Sequence, residues 1–381
     1  MRKCVGIFAA TAAMLIQFAE DDVTALETLG AKVHAICQPF QVTVTEFAME
    51  AFRKRHPGVI WHTLPFADTL PAARQNRKAL EQLMTLLQEI QPDLLHCHGT
   101  TAGKYGRMAA KALEIPVFYT AHDFRLYRGC FWVERLWFSG MEKKYSACTN
   151  VMFTVCPEDT AYAQKKLSAG EVAELPYTSC IDSTYYAAPK RDAASVRREW
   201  QIPEDAILLL SVGGLRAQKR FRIVIQAMAR LRDLDRLHYV ICGEGDDRIF
   251  LEKLIEKLHL TDRVHLVGYR TDIPDILGAA DIFCMPSRRE GCGISSLEAM
   301  AAGLPLLMTR VHGTKAFDAM EDGVIFLKGD LVASCADGIR RLAENKLLRK
   351  QMSAHNRAAG AKFSDEERMM VMRTYYQKIL D

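Results

Sequence analysis

Pro286-Ser-Arg-Arg-Glu290-Gly-Cys-Gly-Ile-Ser-Ser-Leu-Glu298-Ala-Met-Ala-Ala-Gly303-Leu-Pro305 is the stretch on which the reading of this chain turns. It follows an apolar run at Ile282–Met285 and opens a helix at about Ile294. Gly291 and Gly293 permit a tight turn and let backbone N–H groups approach a ligand closely. A new helix presents unpaired N–H groups to an anion such as a diphosphate, so Gly291, Cys292, Gly293 and Ile294 form a candidate anion site. Glu290 sits in the loop and Glu298 about one turn into the helix. Two carboxylates flanking an anion site suit hydroxyls at both ends of a nucleotide sugar. Two unrelated solvated glutamates are the plainer alternative.

Outward from that segment, short β-rich runs alternate with amphipathic helical stretches. The predicted strands are 4–10, 32–37, 93–98, 117–122, 151–156 and 172–176, then 207–212, 238–242, 264–267, 282–285, 304–309 and 324–327. Strands apolar on both faces and spaced by helices argue for parallel sheets covered on both sides. The pattern pauses once, over 182–195, where polar and small residues with Pro189 suit an interdomain hinge. The fold class is therefore α/β, with two doubly wound, Rossmann-like domains at about 1–185 and 190–360. A last helix within 361–381 is expected to pack back toward the N-terminal domain. Open α/β sheets bind ligands at the carboxyl ends of their strands, so the two sets of strand ends are expected to face each other across a cleft.

The whole chain has 381 residues, 49% of them hydrophobic and 25% charged, with a formal net charge of +4. That is ordinary for a soluble globular protein, and so mild a charge gives no support to nucleic acid as a partner. Eleven cysteines, with no C-x-x-C pair, sit mostly in apolar runs and read as buried thiols in a reducing cytoplasm. Arg2 and Lys3 before an apolar run suggest a signal peptide. The run gives way to Gln17 and Glu20-Asp21-Asp22, so a first buried strand fits better. No run reaches the roughly 18 apolar residues of a spanning helix, and any membrane association is expected to be peripheral.

The glutamate segment resembles the E-x7-E signature of the family 4 glycosyltransferases, which have the GT-B fold. The resemblance continues through Ser211-Val-Gly-Gly-Leu-Arg-Ala-Gln-Lys219, Val240-Ile-Cys-Gly-Glu-Gly245 and Val264-His-Leu-Val-Gly-Tyr-Arg270. In the N-terminal half it includes Asp93-Leu-Leu-His96-Cys-His98, Tyr119-Thr-Ala-His122-Asp and 176–182. It covers nearly the whole chain and lies nearest the bacterial exopolysaccharide and capsule branch. By that resemblance the chain is a cytoplasmic, metal-independent, retaining glycosyltransferase that uses no cofactor. It moves a sugar from a nucleotide-diphosphate sugar, UDP foremost, to a saccharide or lipid-linked acceptor. Glu290 would hold donor-sugar hydroxyls beside the reacting carbon, and Glu298 the ribose hydroxyls. Lys219 would neutralise the leaving diphosphate, a sensible place for a cation because charge builds there in the transition state. His122 would lie by the donor sugar, and the backbone at Tyr269 and Arg270 by the nucleobase.

One position departs from the family pattern. Its usual arginine falls on Gly214, beside Gly213, so Arg216, Arg220 or the helix N-terminus must serve the phosphates instead. Gly243-Glu-Gly245 is a weak phosphate-loop signal that a strand-to-helix turn explains equally well. His96 and His98 share a strand face without further ligands and read as packing rather than a metal site. Asp233-Leu-Asp235 lies in a helix-to-strand connection, where solvated acids are routine. Phe131, Trp132, Trp137 and Phe138, interleaved with Arg125, Arg128, Arg135, Lys143 and Lys144, suit either an anionic membrane interface or a helix packed on its own sheet. Arg53, Lys54 and Arg55 add a second basic cluster. Among competing classes, an NAD-dependent oxidoreductase fails because the first loop, Ala9-Ala10-Thr11-Ala12-Ala13, has no glycine. A nucleotide-sugar epimerase of the same architecture and a non-catalytic partner subunit remain as alternatives.

Overall fold

A computed structural model describes residues 3–38, 46–67, 73–124, 126, 131–176 and 180–381. The chain divides into one unit of Met1–Tyr177 with Asp365–Asp381 and a second of Thr178–Ser364. The first unit is built on β1 (Cys4–Ala9), β2 (Lys32–Cys37), β3 (Ile60–Thr63), β4 (Leu94–His98), β5 (Val117–Ala121), β6 (Val151–Thr154) and β7 (Glu171–Glu174). The second carries β8 (Ile207–Val212), β9 (Leu237–Cys242), β10 (Val264–Gly268), β11 (Ile282–Met285), β12 (Leu306–Thr309) and β13 (Val324–Leu327). All pair in parallel, in the orders β3-β2-β1-β4-β5-β6-β7 and β10-β9-β8-β11-β12-β13. Two doubly wound α/β units are thus present as the sequence pattern predicts.

The central strands are buried throughout, β4, β5, β9, β11 and β12 among them. Helices cover both faces, as parallel sheets require. In the helix Ala73–Ile90, Ala79, Leu83 and Leu87 recur at four-residue spacing and pack on Phe8, Ile36 and Leu95. On the opposite face, Val5, Ile7, Phe118 and Phe153 form a core with Met372, Tyr376 and Leu380 of the C-terminal helix Asp365–Leu380. Each such side chain contributes about 1.5–3 kcal/mol on burial, which holds that helix on the first unit although it follows the whole second unit in sequence.

The boundary between the units corrects the sequence-based placement near 185. The stretch 182–195 is not a free hinge. Asp182 caps the helix Ser183–Ala187, and Asp275 accepts hydrogen bonds from the amides of Lys190 and Arg191 at 2.6 and 3.1 Å. A buried carboxylate gripping two backbone donors ties the stretch to the second unit. β3 has no counterpart among the predicted strands. At the sheet edge it is half-exposed, so it shows no continuous apolar run. Of the ten described cysteines, seven are buried.

One buried ion pair joins the helices Gly99–Ala112 and Trp132–Ser146. Arg107 Nη2 donates to Glu142 Oε2 at 2.9 Å, and Tyr119 Oη donates to Glu142 Oε1 at 3.2 Å. Arg107 is fully buried and also lies over the Tyr119 ring. Removing the carboxylate leaves a guanidinium without its counter-charge in the core. Glu142→Leu is therefore expected to cost about 3–5 kcal/mol in urea unfolding, whereas exposed Glu134→Leu stays within about 0.5 kcal/mol.

Candidate active site

Strand order reverses in the second sheet between β8 and β11, which lie side by side. At such a switch point the connections after two adjacent strands leave in opposite directions and open a crevice at their carboxyl ends. The loops that begin at Gly213 and Pro286 both emerge there. They are stitched together by Arg288 N donating to Gln218 O at 2.8 Å and by Gln218 Nε2 donating to Arg289 O at 3.0 Å. The result is a direct contact between the two principal candidates: Lys219 Nζ lies 2.9 and 3.0 Å from the two carboxylate oxygens of Glu290. Both side chains are largely buried.

Gly213 explains how Lys219 reaches that point. Gly213 has a φ of 152°, which L side chains rarely adopt, and a β-carbon built there would crowd Lys219 Cε at 3.2 Å, so glycine suits the surface that the lysine stem crosses. Gly214 has room for a side chain, but Arg216 Nε stands 3.7 Å from where its β-carbon would be. The exposed Arg216 therefore brings a guanidinium beside the position that the family arginine would occupy. Arg220 is half-buried, with a positive φ of 54°. Gly243 closes the turn after β9, with its N–H on Gly268 O at 2.8 Å, and Glu244 O accepts from Leu215 N at 2.9 Å. Its part is to seat the β9 and β8 loops against each other.

Gly293 stands at the N-cap of the helix Ile294–Ala301 in the left-handed region, φ 70° and ψ 41°, with no side chain capping the helix. An L-residue is strained there, whereas glycine turns the chain directly from loop into helix. Among the described residues, the N–H groups of Gly293, Ile294 and Ser295 make no backbone hydrogen bond. The buried hydroxyls of Ser287 and Ser296, which bracket the loop, also have no hydrogen-bond partner. Unused donors at a helix N-terminus, in the same loop as the Glu290 that meets Lys219, are an arrangement that favours anions.

Glu298 lies at the same site, buried within that helix. Tyr186 Oη donates to its Oε1 at 2.8 Å. Burial raises its carboxyl to about 7, against the opposing pull of the Tyr186 hydrogen bond and the Lys219 charge. It therefore titrates near neutrality, a perturbation of the kind that clusters at functional sites. Tyr269 is exposed, whereas the Arg270 side chain is engaged with Asp272 at 2.6 Å and Glu199 at 3.0 Å.

In the first unit the strand order reverses between β1 and β4, and His122 follows β5, the next strand over. Its Nε2 lies 3.4 Å from His98 Nδ1, and its ring packs on Phe18. Burial, then the Arg368 charge, push its pKa down to about 3, so the ring is neutral at working pH. His96 and His98 are fully buried core residues, 4.2 Å apart ring to ring. Asp233 is held in a two-pronged contact by Arg340 at 2.6 and 2.8 Å. Lys54 pairs with Glu50 and Arg55 with Glu20, so the second basic cluster is largely neutralised.

Some supporting residues carry no signal in the sequence. Tyr186 lies in the stretch read as a hinge, 112 residues from its partner Glu298. Glu290 N donates to His312 O at 3.0 Å, and a β-carbon on Gly313 would lie 2.1 Å from Glu290 O. The loop after β12 thus forms the floor under Glu290. A glycine after a strand end was the one available hint.

The sign of the Glu298 titration gives a test. Its folded pKa is raised above the unfolded value, so its stabilising contribution is full below about 4.5 and is lost as pH rises through about 7. At pH 8 the buried carboxylate costs on the order of 3 kcal/mol. Glu298→Gln is expected to melt higher than the wild type at pH 8 and at nearly the same temperature at pH 5. Equal melting at pH 8 would place the carboxylate in water.

Comparison with known proteins bears directly on this geometry. The model of the group 1 glycosyl transferases matches residues 192–359, and that of the glycosyl transferase 4-like domain matches residues 16–178. EpsD of Bacillus subtilis (strain 168) is 27% identical over 333 residues, 84% of this chain and 87% of its own. The Escherichia coli UDP-Gal:alpha-D-GlcNAc-diphosphoundecaprenol alpha-1,3-galactosyltransferase is 25% identical over 280 residues, 72% of each chain. Among solved structures, sucrose-phosphate synthase from Thermosynechococcus elongatus superposes with a TM-score of 0.81 at 18% identity, covering 99% of both chains. With its two halves matched in order by these models, the chain belongs to the family 4 glycosyltransferases and has their GT-B fold.

Proposed function

We propose that this protein is a retaining glycosyltransferase of bacterial surface-polysaccharide synthesis. It would move a sugar from a UDP-sugar to a saccharide or lipid-linked saccharide acceptor. The observation that carries the reading is the Lys219–Glu290 contact beside an uncapped helix N-terminus. A bound donor exchanges that contact for two others: Lys219 turns to the diphosphate and Glu290 accepts from a sugar hydroxyl. The anomeric bond to phosphate breaks, an acceptor oxygen bonds the same carbon on the same face, and its proton leaves with the nucleotide diphosphate. Lys219, Arg216 and the helix amides stabilise the charge that develops on the leaving group. Glu298, ionised, accepts the ribose hydroxyls. In the first unit, His122 meets a sugar hydroxyl.

The UDP donor and lipid-linked acceptor draw support from the Escherichia coli relative, whose name specifies both. That relative makes an alpha linkage from UDP-Gal, in which galactose is itself alpha-linked, and this supports retention. Metal independence is supported by the cations already at the site and by the Arg340 pairing of Asp233, which occupies the one D-x-D motif. In a transfer assay, Glu290→Ala is expected to lower turnover about 100-fold or more while the protein stays folded. Wild-type activity is expected to persist in EDTA. A folded, active Glu290→Ala protein would overturn the site. A wild type that never releases nucleotide diphosphate would favour the non-catalytic reading.

Peripheral contact with an anionic membrane completes the proposal. Among the described residues no helix is long and apolar enough to cross a bilayer. The helix Trp132–Ser146 nevertheless has two characters. Phe138, Met141 and Tyr145 are buried, while Phe131, Trp132, Val133, Leu136 and Trp137 are exposed, Trp132 by 67%. Arg135, Lys143 and Lys144 lie on the same helix, and Lys104 Nζ stands 5.4 Å from the Trp137 ring centroid. Arg125 and Arg128 fall outside the described residues. Rings beside cations match an anionic interface, where each Lys or Arg contributes about 1 kcal/mol. The protein is expected to sediment with phosphatidylglycerol vesicles, less so in high salt, and to lose binding when Trp132 and Trp137 are both changed to alanine. Failure of the wild type to bind at low salt would leave a soluble acceptor.

A further inference from the structure

Behind His122, two further histidines of the first unit and one buried aspartate continue into the core, and the reaction outlined above uses none of these three. Asp22, in the helix Glu20–Thr28, is fully buried. Its Oδ1 accepts from Tyr376 Oη at 3.0 Å, and its Oδ2 accepts from Arg368 Nη2 at 3.3 Å. Both partners come from the C-terminal helix Asp365–Leu380, and Arg368 Nη2 also donates to Phe18 O at 2.6 Å. Oδ2 lies 3.6 Å from His98 Nε2, a buried nitrogen with no hydrogen-bond partner of its own. The opposite nitrogen of that ring, Nδ1, lies 3.4 Å from His122 Nε2.

Asp22, His96 and His98 present ligand atoms within 4.8 Å of one another, the spacing of a metal site. The chemistry argues otherwise. Both nitrogens of His96 are already bonded, Nδ1 to Tyr376 Oη at 2.6 Å and Nε2 to Thr120 Oγ1 at 2.8 Å. The Arg368 guanidinium on Asp22 supplies the positive charge that a cation would bring. The cluster is a row of buried polar contacts with one charged end, the Asp22–Arg368 pair.

We infer that Asp22, locked by Arg368 and Tyr376, acts through His98 to fix the tautomer of His122, so that His122 offers an unprotonated Nδ1 to substrate. The inference rests on the reading of His122 as a sugar contact. The logic runs along the chain. A carboxylate facing His98 Nε2 favours the proton on that nitrogen, as carboxylates do for catalytic and metal-bound imidazoles. A neutral His98 then has a lone pair at Nδ1, which accepts from His122 Nε2–H. A neutral His122 with its proton on Nε2 has a lone pair at Nδ1, and among the described residues no protein group occupies that atom. Both rings are held neutral by burial and by Arg368. Left alone, a neutral imidazole samples both tautomers. The chain removes that freedom, and His122 accepts a hydrogen bond from a sugar hydroxyl rather than donating one. Asp22, Arg368, Tyr376 and His98 are positioning residues.

Long-range proton–nitrogen spectra of the full chain labelled with 15N-histidine read the tautomer directly. The His122 ring is assigned by its disappearance in His122→Ala. Nδ1 of His122 is expected to resonate as an unprotonated nitrogen and Nε2 as a protonated one. His98→Phe keeps the ring volume but removes the acceptor. It is expected to abolish the fixed tautomer and to lower kcat about tenfold, with the donor KM little changed. His98→Gln, whose side-chain oxygen can take the acceptor position, is expected to restore both. A protonated Nδ1 in the wild type overturns the inference, and so does a His98→Phe protein with unaltered tautomer and kcat. If His122→Ala is fully active, the sugar-contact reading fails instead, and the wild-type spectrum still decides the tautomer.

Discussion

Reversal of strand order at the middle of each sheet is the constraint on which the rest depends. In the second unit it places β8 beside β11, although about seventy residues separate them in sequence. Everything that gives Lys219 and Glu290 their chemistry follows from that adjacency. The β8 loop turns one way, the β11 loop the other, and the space between their first residues is lined by backbone rather than by a packed helix. Gly213 keeps that space open for the lysine stem, and Gly293 turns the second loop into a helix whose amides are unused.

Charge balance at the site follows from burial. Without ligand, Lys219 and Glu290 satisfy each other, and Glu298 sits with its proton affinity raised by desolvation. A buried carboxylate with a raised proton affinity costs stability once ionised, which marks the site as a candidate for function rather than for stability. The Glu290 loop has its own support, from Gln218 on one side and from His312 and Gly313 on the other. The geometry is therefore held by backbone hydrogen bonds, which a change of side-chain protonation leaves in place.

The first unit solves a related problem with different chemistry. Its strand ends carry histidines rather than a glycine loop, and burial keeps them neutral. Neutral imidazoles in a row need an external charge to set their direction, and Asp22 with Arg368 provides it. The C-terminal helix thus does more than cover a sheet face: it carries the cation that makes a buried carboxylate tolerable.

Read alone, the sequence determined the α/β class, most strand positions, and the Glu290–Glu298 segment with Lys219 and His122 as candidates. These were legible because buried parallel strands leave continuous apolar runs and because glycines at a strand-to-helix turn have few other uses. What the tertiary structure decided was every partnership across long separations. The pairing of Tyr186 with Glu298 and the floor that Gly313 provides under Glu290 leave no periodic trace. Asp22 read as one acid in a polar run, yet it is fully buried between an arginine and a tyrosine some 350 residues away. Local pattern reports which face of an element is apolar. It cannot report which distant side chain will meet that face, because that choice is made by topology and packing, not by the neighbours in the chain.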